Sequence, residues 1–123
     1  MNKSVTLALD VMSGENDPHS SIEAALKLIS VNESVNLYLI GNEEKIKKYL
    51  PGKIDDRLSI RHTDEVITMK DSPMDVLRRK KQSSMRLAVE MVANKKADAC
   101  ISSGNTGALL AISKYLLKTI PNI

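Results

Sequence analysis

Short apolar runs alternate along the chain with stretches in which apolar residues recur three and four positions apart. The short runs are rich in aliphatic and β-branched residues and end at polar residues, glycine or proline, as buried strands do. The longer stretches have the spacing of amphipathic helices. The strands predicted in this way are residues 5–9, 36–40, 58–62 and 97–102. Strand and helix therefore alternate, beginning with a strand.

Polar residues mark the predicted helix starts. Ser20, with Glu23 three positions later, fits a capping box, and Pro73 fits the first position of a helix. A charged helix is predicted over residues 43–50, and a later one ends near Asn94. The serines predicted to cap helices are Ser20, Ser72, and either Ser83 or Ser84. These signals divide the chain into successive units of strand and helix.

The last predicted helix, residues 108–118, differs from the others because leucine and isoleucine lie on nearly all of its sides. A helix that is apolar all round is normally covered all round by other elements. We therefore expect this helix to be deeply buried.

The short connections between strands and helices predict an α/β fold. The expected architecture is an open, mostly parallel, Rossmann-like sheet in three layers, wound by right-handed crossovers. A chain of 123 residues can bury a substantial core, and no linker or internal repeat divides it. Residues 1–123 are therefore expected to form one α/β segment.

Composition narrows the classes of function. The chain has three tyrosines and neither phenylalanine nor tryptophan, so it lacks the aromatic platform on which single-stranded nucleic acids usually stack. Its formal charge of +3 arises mainly from the cluster Arg78, Arg79, Lys80, Lys81 and Arg86. Charge alone names no partner. The composition nevertheless argues against a nucleic-acid partner.

Cysteine content and the N-terminal run bear on the compartment. Cys100 is the single cysteine, so no disulfide can form within the chain, and its apolar neighbours predict a buried, unreactive thiol. The apolar run at residues 5–9 is too short for a signal-peptide core or a membrane span. We therefore expect a cytoplasmic protein.

The loop at residues 102–107, Ser-Ser-Gly-Asn-Thr-Gly, is the first candidate for binding chemistry. It follows a strand and opens a helix, which gathers unpaired backbone N–H groups at the positive end of the helix dipole. This arrangement suits a phosphate or an oxyanion, but an ordinary capped turn has the same pattern. The loop matches neither the dinucleotide nor the P-loop motif, and its Gly-Asn-Thr-Gly could mimic the loop of RNA-binding KH domains.

The loop after the first strand contains the carboxylates of Asp10, Glu15 and Asp17. Their spacing does not match a calcium loop, and the one nearby histidine, His19, completes no ligand set. We interpret this loop as a structural turn with solvated acids and not as a metal site. His62 is interpreted as a surface residue at the end of a strand.

The basic segment at residues 78–86 leads into a helix that begins with serine. Such a segment can bind phosphate, dock an acidic protein, contact anionic lipid or form a solvated face. Serines interleaved with arginines and lysines at a helix start favour phosphate.

Three segments carry longer motifs. Residues 7–18 are similar to the signature I-A-x-D-A-M-G-G-D-x-A-P, and residues 97–108 to the block A-D-x-x-x-S-x-G-N-T-G-A. Residues 66–85, which contain Arg-Arg-Lys-Lys-Gln-Ser-Ser-Met, are similar to a third distinctive stretch of the same family. In this order and over nearly the whole chain, the segments resemble the N-terminal part of the PlsX family of phosphate acyltransferases.

The resemblance implies a reaction in which inorganic phosphate attacks the thioester of an acyl carrier protein and forms acyl phosphate, with no cofactor and no metal. The implied substrate-binding residues are Asp10 and Gly14 at the cleft mouth, Lys81, Ser83 and Ser84 beside the phosphate, and Gly104, Asn105, Thr106 and Gly107 at the phosphate or the oxyanion. Arg78 and Arg79 would meet the acidic carrier protein. No general base can be named.

The resemblance also implies a homodimer among full-length relatives, a membrane acyltransferase downstream, and work at or near the membrane surface. Family members are several-fold longer. We therefore expect residues 1–123 to be the N-terminal portion of a larger fold, truncated at its C-terminus, with little or no activity alone. The rival interpretations are an inactive or partner-dependent fragment and, from the basic run and one G-x-x-G, an RNA-binding module.

The first motif departs from the family pattern at Val11, Ser13 and Glu15. Serine in place of glycine would be strained at position 13 if its φ angle were positive. This departure predicts an altered geometry for the first loop.

Overall fold

The computed structural model describes residues 4–13 and 18–121. Within these ranges the chain forms β1 (Val5–Asp10), α1 (His19–Val31), β2 (Val35–Gly41), α2 (Glu43–Lys47), β3 (Leu58–His62), α3 (Pro73–Arg79), α4 (Ser84–Ala93), β4 (Ala99–Ser102) and α5 (Thr106–Leu117). The predicted alternation of strand and helix is confirmed, with two consecutive helices, α3 and α4, between β3 and β4.

The four strands form one parallel sheet in the order β3-β2-β1-β4. The N-terminal strand β1 is therefore internal, with β2 on one side and β4 on the other. Leu9 of β1 is the register partner of Leu39 in β2 and of Ile101 in β4. The α/β class and the parallel sheet expected from the pattern are confirmed.

Helices cover both faces of the sheet because neighbouring residues of each strand point to opposite sides. On one face, Ile22 and Ile29 of α1 pack in a core with Leu37 and Leu39 of β2. The other face belongs to α4. Its buried residues Leu87 and Ala88 pack with Ala8 and Ile40 of the sheet. The sheet therefore lies between two helical layers, as the three-layer prediction requires.

The burial predicted for α5 is wrong. Ala108 and Ile112 form its buried stripe, in a core shared with Val76 of α3 and Met85 and Val89 of α4. On its other sides, Leu110 is 69% exposed and Tyr115 is 63% exposed. The helix packs along one side, against α3 and α4. Its remaining apolar surface has no cover among residues 4–13 and 18–121.

The capping box predicted at Ser20 is also wrong, because α1 begins at His19 and Ser20 lies inside it. Pro18, with φ −61° and ψ −8°, is already in the helical region, and its carbonyl accepts a hydrogen bond from the Ile22 N–H at 3.0 Å. The proline therefore starts the helix two residues earlier than predicted, without any side-chain cap.

The other helix starts follow the sequence more closely. Ser72 caps α3 by accepting a hydrogen bond from the Asp75 N–H, and Ser83, not Ser84, caps α4 by accepting from Arg86. The predicted helix over residues 43–50 is shorter in the structure and ends at Lys47. Beyond Lys47 the hydrogen bonds shift to three-residue turns, as in the bond from the Tyr49 N–H to the Ile46 carbonyl.

Candidate functional site

The strand order places a crevice at the carboxyl ends of β1 and β4. The chain passes from β1 to β2 on one side and returns to β4 on the other, and open parallel sheets bind ligands where the order reverses in this way. Asp10 and Ser102 are the last residues of β1 and β4, and they are register partners. The loops that follow these two residues form the candidate site.

Asp10 ties the two strand ends together. It is buried, and its carboxylate accepts hydrogen bonds from the Ser102 hydroxyl at 2.8 Å, the Ser13 N–H at 3.1 Å and the Met12 N–H at 3.2 Å. Ser103 adds a second link by donating from its hydroxyl to the Ser13 carbonyl at 3.2 Å. The loop after β1 is therefore held against the start of the loop after β4.

Ser13 adopts this position without backbone strain. Outside glycine, the positive φ angles in the described part of the chain belong to Lys95 and Lys118. The strain anticipated for a serine at position 13 is therefore absent. Gly14, expected at the cleft mouth, lies outside the described residues.

Asn105 organises the start of α5. Its side-chain oxygen accepts a hydrogen bond from the Ala108 N–H at 3.1 Å, which makes it the helix cap. Its amide donates to the carbonyls of Thr68 at 3.1 Å and Asp71 at 2.9 Å. The polar groups of this buried side chain therefore serve to fix the helix start and the loop at residues 68–71.

Two exposed residues at the same helix start keep free donors. The backbone N–H groups of Thr106 and Gly107 have no acceptor in the part of the chain that the structure describes. They occupy the first two helical positions, where the dipole favours negative charge. Gly104 is different, because its N–H already donates to the Ser102 hydroxyl at 3.2 Å.

Gly104 is also the point where three segments touch. A Cβ atom built at this glycine would lie 2.5 Å from the Cβ of Ser13 and 2.9 Å from the Cε of Met85. The loop after β1 and the first turn of α4 therefore close directly onto the start of the α5 loop. Glycine permits this close approach because it has no side chain, and its φ angle lies outside the left-handed region.

Two buried hydroxyls in these segments lack hydrogen-bond partners. The Oγ atoms of Ser13 and Ser84 have none among the described residues, although both side chains are more than nine-tenths buried. Ser84 is placed by its N–H, which donates to the Glu65 carbonyl at 3.0 Å. Ser13 was not a candidate from the sequence, because its contact with Gly104 links residues far apart in the chain.

The basic cluster divides into surface and structural residues. Arg78, Arg79 and Lys81 are exposed and form no ion pair with any residue in the described ranges. Lys80 instead donates to the Asp71 carboxylate at 2.6 Å and the Val66 carbonyl at 2.7 Å. The hydrogen bond from Lys80 to Asp71, and then the one from the Thr68 N–H, hold the pKa of the Asp71 carboxyl below its usual range.

Arg86 is not part of the exposed basic surface. Its Nε donates to Glu90 at 3.0 Å, and its guanidinium carbon lies 5.6 Å from the centre of the Tyr115 ring. Its side chain is largely buried between α4 and α5. The basic surface expected over residues 78–86 is therefore limited to residues 78–81, of which Lys80 is paired with Asp71.

Two other residues singled out in the sequence, His62 and Cys100, have ordinary surroundings. His62 is exposed at the end of β3, and its Nδ1 accepts a hydrogen bond from the Glu43 N–H at 3.0 Å. Burial, and then the nearby charge of Asp10, raise the pKa of the Cys100 thiol, as expected for an unreactive cysteine. No group of three metal-ligating side chains converges in residues 4–13 and 18–121.

The surroundings of the glycine loop bear on the RNA alternative. In KH domains a G-x-x-G loop joins two helices, whereas here residues 103–105 join β4 to α5. The G-x-x-G motif therefore does not support the RNA-binding interpretation.

None of the described helices is long and apolar enough to cross a membrane.

Comparison with known proteins identifies the family. A family model described as "Fatty acid synthesis protein" matches residues 5–123. Proteins named "Phosphate acyltransferase" from Shewanella sediminis (strain HAW-EB3) and Shewanella woodyi (strain ATCC 51908 / MS32) are 52% and 49% identical to the chain over 122 residues. Each match covers 97% of this chain and 36% of the relative, so the chain spans about a third of their length. The resemblance seen in the three motifs is confirmed, and the chain belongs to the fatty acid synthesis protein family.

Proposed function

We propose that residues 1–123 are the N-terminal, phosphate-binding part of an acyltransferase that forms acyl phosphate from an acyl carrier protein thioester and inorganic phosphate. The names of the two Shewanella relatives support the class of enzyme. The free N–H groups of Thr106 and Gly107 after β4 and the unpartnered hydroxyl of Ser13 after β1 support the phosphate site.

The buried hydroxyls carry the proposal. A buried polar group without a partner costs about 1–3 kcal/mol. Of the two such hydroxyls, Ser13 Oγ lies 3.1 Å from the Cβ position at Gly104, and Ser84 precedes Met85, whose Cε lies 2.9 Å from the same position. An oxygen-rich ligand bound at this point would remove that cost. Phosphate also suits the N–H groups of Thr106 and Gly107, because it is an anion at a helix N-terminus.

The residues implied by the resemblance fall into two groups, those that contact the phosphate and those that hold the contacting groups in position. Thr106, Gly107, Ser84 and the exposed Lys81 face the phosphate, and Ser13 joins them. Asp10, Ser83, Asn105 and Gly104 position these groups through the hydrogen bonds and the close contact described above.

The proposed reaction needs little acid–base chemistry from the protein. A phosphate oxygen attacks the thioester carbonyl, the C–O bond forms, the C–S bond breaks, and the carrier-protein thiolate leaves and takes up a proton. The site has to hold the phosphate against the carbonyl and stabilise the oxyanion that develops there. Hydrogen-bond donors of this kind can do both.

The remaining partners complete the proposal. Arg78 and Arg79 are exposed and unpaired among the described residues, and we assign them to the acidic carrier protein. The product passes to a membrane acyltransferase, so the enzyme works in the cytoplasm at or near the membrane surface. The complete enzyme is a homodimer.

Thr106→Pro tests the phosphate site. Proline is tolerated at the first position of a helix and lacks the N–H group, and Pro73 already occupies that position in α3. Asn105, at φ −60° and ψ 111°, has the extended conformation required before proline. A hydrogen bond to a charged group contributes about 1.5–3 kcal/mol. Phosphate binding, followed by ³¹P NMR, should therefore weaken by at least about tenfold.

Thr106→Ala is the matched control, since it removes the hydroxyl and keeps the N–H group. It should bind phosphate within about twofold of the unmodified chain. Equal affinity in the proline and alanine variants would contradict the assignment. A second measurement is acyl phosphate formation by this chain alone from carrier-protein thioester and phosphate, where little or no turnover is expected, and substantial turnover would show that the rest of the relatives' length is unnecessary.

A further inference from the structure

We propose that Lys80 is a positioning residue of the phosphate site, which acts through Asp71 and Asn105 on the first two N–H groups of α5. Its ammonium group donates to the Asp71 carboxylate at 2.6 Å and to the Val66 carbonyl at 2.7 Å, so two of its three N–H donors are used within the protein. Lys80 therefore serves the site without contacting the ligand. The inference rests on the proposed function for the identity of that ligand.

The Asp71 carboxylate holds the loop at residues 68–71 in one conformation. Its Oδ2 atom accepts hydrogen bonds from Lys80 and from the Thr68 N–H, the latter at 2.7 Å. The Asp71 N–H donates in return to the Thr68 carbonyl at 3.2 Å. The side chains of Lys80 and Asp71 are 28% and 24% exposed, so their ion pair is partly shielded from water. Because Lys80 is the C-cap of α3, this ion pair ties the loop to the end of that helix.

The same loop fixes the orientation of Asn105. The two carbonyls that accept from its side-chain amide, at 3.1 and 2.9 Å, belong to Thr68 and Asp71. Its side-chain oxygen is meanwhile bound by the Ala108 N–H as the cap of α5. A carboxamide held on both sides in this way has a single orientation. The first two N–H groups of the helix follow Asn105 directly, so a shift of the loop would turn Asn105 and move them.

Helix α3 contacts the start of α5 at a second point. A Cβ atom built at Gly107 would lie 3.2 Å from the Cγ of Pro73, the first residue of α3. The start of α3 is thus packed against the start of α5, and Lys80 at its other end holds the loop that binds Asn105. Hydrogen bonds weaken steeply when the donor is misaligned. Loss of the Lys80 bond should therefore reach the phosphate through the N–H groups of α5.

The competing explanation is that Lys80 favours phosphate only through its positive charge. The two explanations differ at Asp71. Asp71→Asn removes a negative charge, and by charge alone this change would strengthen the binding of an anion nearby. If the pair positions Asn105, the same change weakens binding, because the loop loses its ion pair with Lys80. The expected effects of Asp71→Asn therefore have opposite signs.

The test measures the binding of inorganic phosphate by ³¹P NMR, with circular dichroism as the check on folding. Lys80→Met and Asp71→Asn should each weaken binding by about fivefold or more. Lys70→Met is the matched control, because it removes the same charge from the same loop. The Lys70 side chain is exposed and forms no ion pair with any described residue, so this variant should bind within about twofold of the unmodified chain. If Lys80→Met does not fold, Asp71→Asn decides.

Phosphate binding by Asp71→Asn that equals or exceeds that of the unmodified chain would overturn the inference, and so would an equal loss in Lys70→Met. If Thr106→Pro weakens binding and neither positioning variant does, the proposed function stands and the inference alone fails.

The amide resonances of Thr106 and Gly107, recorded without phosphate, give a readout that does not depend on the ligand. They should shift in Lys80→Met and Asp71→Asn and stay in place in Lys70→Met. Unchanged resonances in both positioning variants would overturn the inference. Shifted resonances in a chain that binds no phosphate would support the link from Lys80 to α5 and count against the proposed function.

Discussion

Replacing Gly104 with alanine should destabilise the protein by forcing a methyl group into the loop after β1. The added Cβ would lie 2.5 Å from the Cβ of Ser13, far inside van der Waals contact. Ser13 cannot retreat easily, because its N–H is bound to Asp10 and its carbonyl to the Ser103 hydroxyl. The Cε of Met85, 2.9 Å from the added Cβ, is the end of a flexible side chain and can move. Overpacking of this kind costs about 1–3 kcal/mol, and we expect a loss of about 2 kcal/mol in the free energy of unfolding.

Urea unfolding followed by circular dichroism measures this loss. With a typical slope of about 1–3 kcal/mol per molar urea, a loss of about 2 kcal/mol lowers the midpoint by about 1 M. Gly52→Ala is the matched control, because a Cβ at Gly52 would meet no atom within 4 Å and its φ angle is not positive. Its midpoint should stay the same or rise slightly, since alanine restricts the unfolded chain.

A second substitution identifies the cause. Ser13→Gly removes the atoms that the new methyl group would strike, so it should recover at least half of the loss caused by Gly104→Ala. The two residues are in contact, and a coupling energy of about 1 kcal/mol or more is expected in the double-mutant cycle. If Gly104→Ala has the stability of the unmodified chain, or if Ser13→Gly fails to reduce its loss, the packing argument is refuted.

Two further predictions concern the loop at residues 68–71. Lys80 lowers the pKa of Asp71 in the folded protein, so this pair stabilises the fold fully above the ordinary carboxyl pKa of about 4 and less as the pH falls below it. Between pH 6 and pH 2, the urea midpoint of Lys80→Met should therefore fall less steeply than that of the unmodified chain. Parallel curves for the two proteins would contradict this. Asn105→Asp keeps the helix cap but loses the donors to the Thr68 and Asp71 carbonyls, so it should cost about 2 kcal/mol in urea unfolding. Asn105→Ala should cost about 1 kcal/mol more through loss of the cap, and an Asn105→Asp variant as stable as the unmodified chain would contradict the role given to the two donors.

Local signals in the sequence were sufficient for the architecture. The strand at residues 58–62 was predicted with the bounds that the structure has, because polar residues close it at both ends. Ser72 and Ser83 cap helices through their own side chains, which depends on neighbours three positions away. Features of this kind depend on residues within a few positions of each other, so they can be predicted from the sequence without knowledge of the fold.

Burial and the contacts of the site depend on distant residues and were harder to predict. The apolar composition of α5 indicated complete cover, yet the described residues cover one stripe of it, because cover is a property of what packs alongside. The glycine loop was recognised as a candidate, but the reason for Gly104 was not. That reason is the approach of Ser13, which lies far away in sequence and meets Gly104 only once β4 lies beside β1.

The internal position of β1 sets the order in which the protein can fold. β1 can pair with β2 soon after both are synthesised, but the hydrogen bond from Ser102 to Asp10 joins residues 92 positions apart. At the usual elongation rates of about 5–20 residues per second, the ribosome needs several seconds to make that stretch. Contacts of high sequence separation form slowly because they close long loops. The crevice at the ends of β1 and β4 is therefore the last part of the four described strands to assemble during synthesis, and Asp10 lacks its Ser102 partner until β4 has been made.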